Sequence, residues 1–395
     1  MCLLEGRERE IMILGAGIGG LRVALRLEKR LKREMGRIIL VDQNDYHQYL
    51  YRIHEVCGPD YDERDIIVPL SKVIGGKRIE FRKMRVERID AHRRVVVTSE
   101  GEIPFDILVI ALGSSPQYYG IEGLKENSLV LNSYEAAREI RKRIEELFRK
   151  TERGETPPRI VVAGGGFTGT ELAGELAEWI PMLIERYGLR RPDSLLTLVE
   201  AMPHILPGWN PELSKMAEEI LASKSVEIVT GDPVKRASRE GLELKSGRMI
   251  HSDLTIWTGG VTCNRAVGGD FEMVKGRIRI DDYCHAWGYE DIYVVGDASC
   301  ALDGETGKPL PPSAHIAMAQ ADVVSHNIYA SLTGGKMRRY IGERVGEIVT
   351  LGRRHAIGEL WGLRMKGLTA RVMKKLIHLW YVHSIGGVKL LLGDP

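Results

Sequence analysis

The sequence predicts an α/β protein with two βαβ units, because one pattern is written twice. The first copy runs EIMILGAGIGGLRVALRLEKRL and then RIILVD; the second runs RIVVAGGGFTGTELAGELAEWI and then LLTLVE. Each copy is an apolar β-rich run, a glycine cluster, a helical period and a second apolar run closing on an acid. Three further apolar runs, DILVIALG, DLTIWTGG and DIYVVGDAS, have no polar face and so read as buried parallel strands.

The 395 residues exceed what one ordinary core supports, so two or three domains are expected. Between the repeats, RIDAHRRVVVTSEGEIPFDILVIALGSSP alternates as strands before its buried run. A charged helix over about 134–153 is stopped by Pro157 and Pro158, which mark entry into the second unit. Further helices are expected over 211–224 and 314–332, and the chain turns basic and aromatic from about Lys336. The expected division is 1–115 with 270–335 as one discontinuous domain, 116–269 inserted into it, and 336–395 as a third region.

Gly15, Gly17 and Gly20 spell GxGxxG between a strand and a helix. Glycine there permits the tight turn and lets backbone N–H groups approach a pyrophosphate at the helix N-terminus. Ala16, Ile18 and Gly19 complete that loop. Asp42, 22 residues beyond Gly20 and followed by Gln43, ends the next strand, where a carboxylate can accept both adenosine-ribose hydroxyls. Gly164, Gly166 and Gly169 repeat the motif with Phe167 and Thr168 inside it, and Glu200 replaces Asp42. A carboxylate repels a 2′-phosphate, so the second site is expected to prefer NADH to NADPH. Two dinucleotide sites in one chain suit a prosthetic group and a diffusing substrate with hydride passing between them.

The whole pattern resembles the two-dinucleotide-binding-domain flavoproteins, and within them the type II NADH dehydrogenases (NADH:quinone oxidoreductases). The resemblance rests on GAGIGG with Asp42, NDYHQYLYRIHEV, ALGSSPQYYGIEG, GGGFTGTELAGEL with LVEA, IWTGGV, VVGDAS and PPSAHIAMAQA before a basic tail. It implies two Rossmann-like domains, FAD on the first and NADH on the second, the NAD domain inserted in the FAD domain, and a quinone as acceptor. By position it puts Asp297, after Gly296, against the FAD ribityl and pyrophosphate region, and Ala111, Leu112 and Gly113 beside the same cofactor. Gly259 and Gly260 fall on the NADH side. It implies that Glu171 sits at the nicotinamide and quinone junction, where it could relay protons, and that His47 lies near the flavin. Where the family reads AQxAxQ beside the quinone, this chain reads Ala314-His315-Ile316-Ala317-Met318-Ala319, then Gln320. His315 can still donate to or accept from a quinone carbonyl.

Cys2, Cys57, Cys263, Cys284 and Cys300 form no CxxC, no CxxxxC and no metal-ligand pattern. That spacing argues against disulfide reductases and against the cysteine pair of sulfide:quinone oxidoreductases, and it leaves small buried hydrophobes as the role of these thiols. With 56 Lys+Arg against 54 Asp+Glu, no global charge for nucleic acid exists. The N-terminus lacks a secretory apolar core and no run reaches membrane-spanning length. A helix over 369–384 would set Leu368, Val372, Leu376 or Ile377, and Trp380 on one face among Arg371, Lys374 and Lys375, the composition of a helix lying in a membrane interface. The expectation is an amphipathic C-terminal region seated on the cytoplasmic face of the cell membrane, in a homodimer.

Overall fold

The computed structural model describes residues 8–192, 194–343 and 345–392, so Cys2 lies outside the described residues. Two five-stranded parallel sheets carry the chain. The first runs Ile292–Val294, Ile107–Ile110, Glu10–Leu14, Arg37–Asp42, Ile79–Lys83. The second runs Leu129–Val130, Leu254–Trp257, Ile160–Ala163, Leu196–Val199, Val226–Val229. In both, the strand that feeds the glycine loop is central, flanked on one side by the strand ending on the acid and on the other by a fully apolar run. The alternation is absent because helices or loops cover both faces of a parallel sheet.

Among the described residues the α-helices are α1 (Ile18–Glu28), α2 (Leu70–Ile74), α3 (Tyr134–Lys150), α4 (Phe167–Tyr187), α5 (Pro211–Ser223), α6 (Ala314–Thr333) and α7 (Leu368–Leu391). The 134–153 prediction ends three residues early because Thr151 has already turned extended before the proline pair. Ser133 caps α3 through Ala136 N–H, and Asn210 caps α5 with Pro211 in the first turn. The segment Ser114–Pro116 leaving the first unit pairs antiparallel with Val261–Cys263 returning from the second, so the two crossings brace each other.

A small antiparallel sheet, Gly346–Thr350 with Ala356–Leu360 and Leu363–Lys366, precedes α7. Its first turn lies directly on α4: a Cβ at Gly174 would sit 2.6 Å from Gly352 N. At the other end α7 packs on the first unit, where Tyr381, Val382 and Ile385 join the core of Leu21, Leu25 and Val73. The C-terminal region therefore touches both nucleotide-binding units. No described helix is long and apolar enough to cross a membrane.

Candidate functional site

The two glycine loops are near-copies at the level of single atoms. Gly15 and Gly164 take positive φ values of 98° and 116°, open to glycine at no steric cost. A Cβ at Gly20 would lie 1.9 Å from Gly15 O, and one at Gly169 would lie 1.9 Å from Gly164 O, so both helices start against their own loops only without side chains there. The middle glycines, Gly17 and Gly166, have nothing within 4 Å of an ideal Cβ, and no side chain caps α1 or α4. Each unit thus presents an open glycine and a helix N-terminus, a cradle that fits a pyrophosphate.

The acids repeat too. Asp42 accepts Ala16 N–H on Oδ2 at 2.7 Å and Asn44 N–H on Oδ1 at 2.8 Å. Glu200 accepts Gly165 N–H on Oε2 at 2.7 Å and Met202 N–H on Oε1 at 2.8 Å. Each carboxylate ties its loop to the next strand and keeps lone pairs for ribose hydroxyls. Burial raises the pKa of Asp42 against the lowering effect of these backbone donors. Leu112 and Gly113 follow Ala111, which lies against Gly15; Gly259 lies against Gly164 in the same way, and Gly260 beside Tyr119. Thr258 Oγ1 donates to Gly164 O at 2.8 Å.

Asp297 follows the strand Ile292–Val294, and its side chain caps no helix. Ser114 Oγ donates to its Oδ2 at 3.3 Å, while burial raises its pKa. Gly296 N–H donates to Gln320 Oε1 at 2.8 Å, and Gln320 is fully buried. The glutamine retained after AHIAMA therefore holds the Gly-Asp turn from within α6. Ala314 and His315 open α6 behind a Ser313 cap. His315 is half-buried with its pKa lowered by burial, and among the described residues no hydrogen bond joins it to Glu171 or His47.

Glu171, on the first turns of α4, is 7% exposed. Its Oε1 accepts Thr350 N–H at 3.0 Å, Thr350 Oγ1–H at 2.9 Å and Lys374 Nζ from α7. His54 completes the cluster, with Nε2 3.2 Å from Thr350 Oγ1 and Nδ1 3.5 Å from Glu171 Oε2. Burial alone would raise the Glu171 pKa, but His54 and Lys374 outweigh it and hold it low. Close by, burial and then Glu171 push Glu347 up to about 7, and burial and then Glu55 push Glu175 up to about 8. Sequence reading missed Lys374, Thr350 and His54. Lys374 had been grouped with the basic face of the helix, and its spacing carried no sign of an inward turn.

His47 is buried, and burial lowers its pKa to about 4. Its Nδ1 lies 2.8 Å from Ala16 O and its Nε2 3.0 Å from Tyr381 Oη. Cys57, Cys263, Cys284 and Cys300 are buried and free, and Cys57 Sγ donates to Ala137 O at 3.6 Å.

Two parallel-sheet dinucleotide cradles, one closed by a Gly-Asp turn and one bordered by a carboxylate–lysine pair, define a two-nucleotide oxidoreductase of the flavoprotein class. Residues 9–321 match the pyridine nucleotide-disulphide oxidoreductase family. The chain is 31% identical over 390 residues to a type II NADH:quinone oxidoreductase of Staphylococcus saprophyticus and 32% identical to that of Staphylococcus aureus, covering 97% of each chain. This chain belongs to the type II NADH:quinone oxidoreductases of that family. Its fold matches NDH2 from Plasmodium falciparum in complex with NADH, with a TM-score of 0.83 at 15% identity, over 98% of this chain and 97% of the other. It also matches the sulfide:quinone oxidoreductase of Aquifex aeolicus, with a TM-score of 0.78 at 19% identity, over 98% and 92%.

Proposed function

We propose that this chain oxidises NADH and reduces a membrane quinone, with FAD held by the first cradle and NADH visiting the second. The observation that carries this is the Glu171–Thr350–Lys374 cluster, which ties the start of the second unit's helix to the C-terminal helix. With FAD bound, the chemistry supplied is acceptance of hydride at the isoalloxazine and release of two electrons. The protein's own part is positioning and charge. Gly15, Gly17, Gly20, Asp42 and Asp297 hold the flavin dinucleotide; Gly164, Gly166, Gly169 and Glu200 hold NADH.

The balance is NADH, one proton and a quinone giving NAD⁺ and a quinol. Glu171 Oε1 and Lys374 Nζ hold the proton that the quinol takes, and His315 offers a hydrogen bond to a quinone carbonyl. We infer the same division, 1–115 with 270–335, 116–269 and 336–395, and the two separate parallel sheets support it.

The outer face of α7 supports seating at a lipid surface. Leu368, Val372, Leu376 and Trp380 are exposed beside Trp361 and Leu363, with Arg364, Lys366, Arg371 and Lys375 interleaved. An apolar stripe with basic flanks and tryptophan suits the interface of an anionic bilayer. We place the protein peripherally on the cytoplasmic face, as a homodimer. A sulfide donor is disfavoured by the burial of Cys57, Cys263, Cys284 and Cys300.

The test is rapid mixing. NADH bleaches the flavin, sulfide does not, and a menaquinone analogue restores the colour. A flavin that resists NADH, or that sulfide bleaches, overturns the reading.

A further inference from the structure

We propose that Tyr381 of α7 acts through His47 to aim the backbone of the first glycine loop, which makes Tyr381 a positioning residue for FAD. The inference rests on the reading above that this loop holds FAD. A carbonyl oxygen only accepts, so at 2.8 Å it is His47 Nδ1–H that donates to Ala16 O. Burial holds the imidazole in its neutral form, which leaves Nε2 with a lone pair. Tyr381 Oη–H then donates to it at 3.0 Å. The tautomer of His47 is thereby fixed from a residue 334 positions away.

What this fixes follows from peptide geometry. The bond between Ala16 and Gly17 is planar and trans, so its C=O and N–H point in opposite directions. Holding Ala16 O toward His47 turns the Gly17 N–H the opposite way, at a glycine with nothing within 4 Å of an ideal Cβ. Asp42 holds the preceding peptide through Ala16 N–H. The loop is therefore pinned on both sides, once by its own unit and once by the C-terminal helix.

Among the described residues the second loop shows no such tie. Gly165 O, the counterpart of Ala16 O, accepts Leu206 N–H at 2.6 Å and Thr170 Oγ1–H at 3.1 Å, both from its own unit. Among the described residues α7 reaches the first loop through His47, whereas in the second unit it reaches Glu171 at the start of α4 rather than the loop backbone. Tyr381 is 2% exposed, with Tyr49 and Tyr51 rings at 6.0 Å, so its hydroxyl is packed away from bulk solvent.

The experiment measures FAD release from the full-length holoenzyme by recovery of free-flavin fluorescence, in the native chain, Tyr381→Phe, His47→Ala and the double variant. Tyr381→Phe keeps the ring and removes the donor; release speeds up about tenfold, and the affinity for NADH stays within about twofold. His47→Ala releases faster still, and the double variant no faster than His47→Ala, because Tyr381 works only through His47. A Tyr381 that merely packs α7 gives effects that multiply in the double variant, and that result overturns the proposal. Release from Tyr381→Phe within about twofold of native also overturns it. A chain that binds no FAD at all overturns the assignment of the first loop and this inference with it; a loaded chain with unchanged release overturns the inference alone.

Discussion

The two nucleotide-binding units share loop geometry and carboxylate contacts, yet they differ in what encloses them. In the first, Ile18 and Gly19 are buried, and a Cβ at Gly19 would meet Val295 at 3.0 Å. α6 lies over α1, locked by Arg22 donating to both oxygens of Asp322. In the second, Phe167 is half-buried and Thr168 is exposed. On the proposed reading one local code serves two tasks, the enclosed cradle retaining its ligand and the open one exchanging it. The difference comes from distant chain packed onto the loop, not from the loop.

The sharpest way to break this comparison is to fill the same glycine in each unit. Gly20→Ala places a methyl against Gly15 O, and the purified protein should carry no flavin absorbance. Gly169→Ala should leave flavin bound and raise the KM for NADH by about a hundredfold, the equivalent of about 2.7 kcal/mol. A flavin-free Gly169→Ala would show that the roles of the loops are not separable.

Next in size, Glu171→Gln removes the anion that Lys374 and Thr350 share. Quinone turnover should fall by about a hundredfold, while flavin reduction by NADH in stopped flow changes less than about threefold. Equal loss in both steps would place Glu171 in NADH binding alone. Glu200→Ala should raise the NADPH-to-NADH ratio of kcat/KM about tenfold by lifting charge repulsion. No change in that ratio would remove Glu200 from the ribose end of the site.

The smallest effect distinguishes the units by pH. His47, in the first, is lowered from 6.5 to about 4, so the unfolded chain binds more protons between those values and stability rises with pH across that window. Glu175, in the second, is raised from 4.5 to about 8; there the folded chain binds more protons, and stability falls as pH rises from 4.5 to 8. Glu175→Gln should therefore melt roughly 3 °C above the native chain at pH 8.5 and level with it at pH 5. An equal shift at both pH values would mean that packing, not ionisation, sets the effect.

From the sequence, 336–395 reads as a third region carrying an amphipathic helix, so deleting 363–395 would remove that helix alone. The structure makes it a deeper change, because that segment supplies Lys374 to Glu171, His378 to Tyr51 and Tyr381 to His47. Periodicity showed the outer stripe of α7 correctly: Leu368, Val372, Leu376, Ile377 and Trp380 are all exposed. It could not show which polar residues turn inward, because Lys374 and Lys375 are adjacent in a basic helix and only packing tells them apart. The resemblance singled out His47, whereas nothing in the sequence singled out its partner Tyr381.

The sequence by itself determined the two cradles, the acids at their far edges and the amphipathic tail. These depend on residues close together in the chain: glycine at fixed offsets, an apolar strand and a helical period. Only the tertiary structure decided how the units are joined and closed. Tyr381 meets His47 and Lys374 meets Glu171 across 334 and 203 residues, contacts set by the burial of α7 and the small sheet against both units. A hydrogen bond across such a separation leaves no periodic trace, so packing alone reveals it.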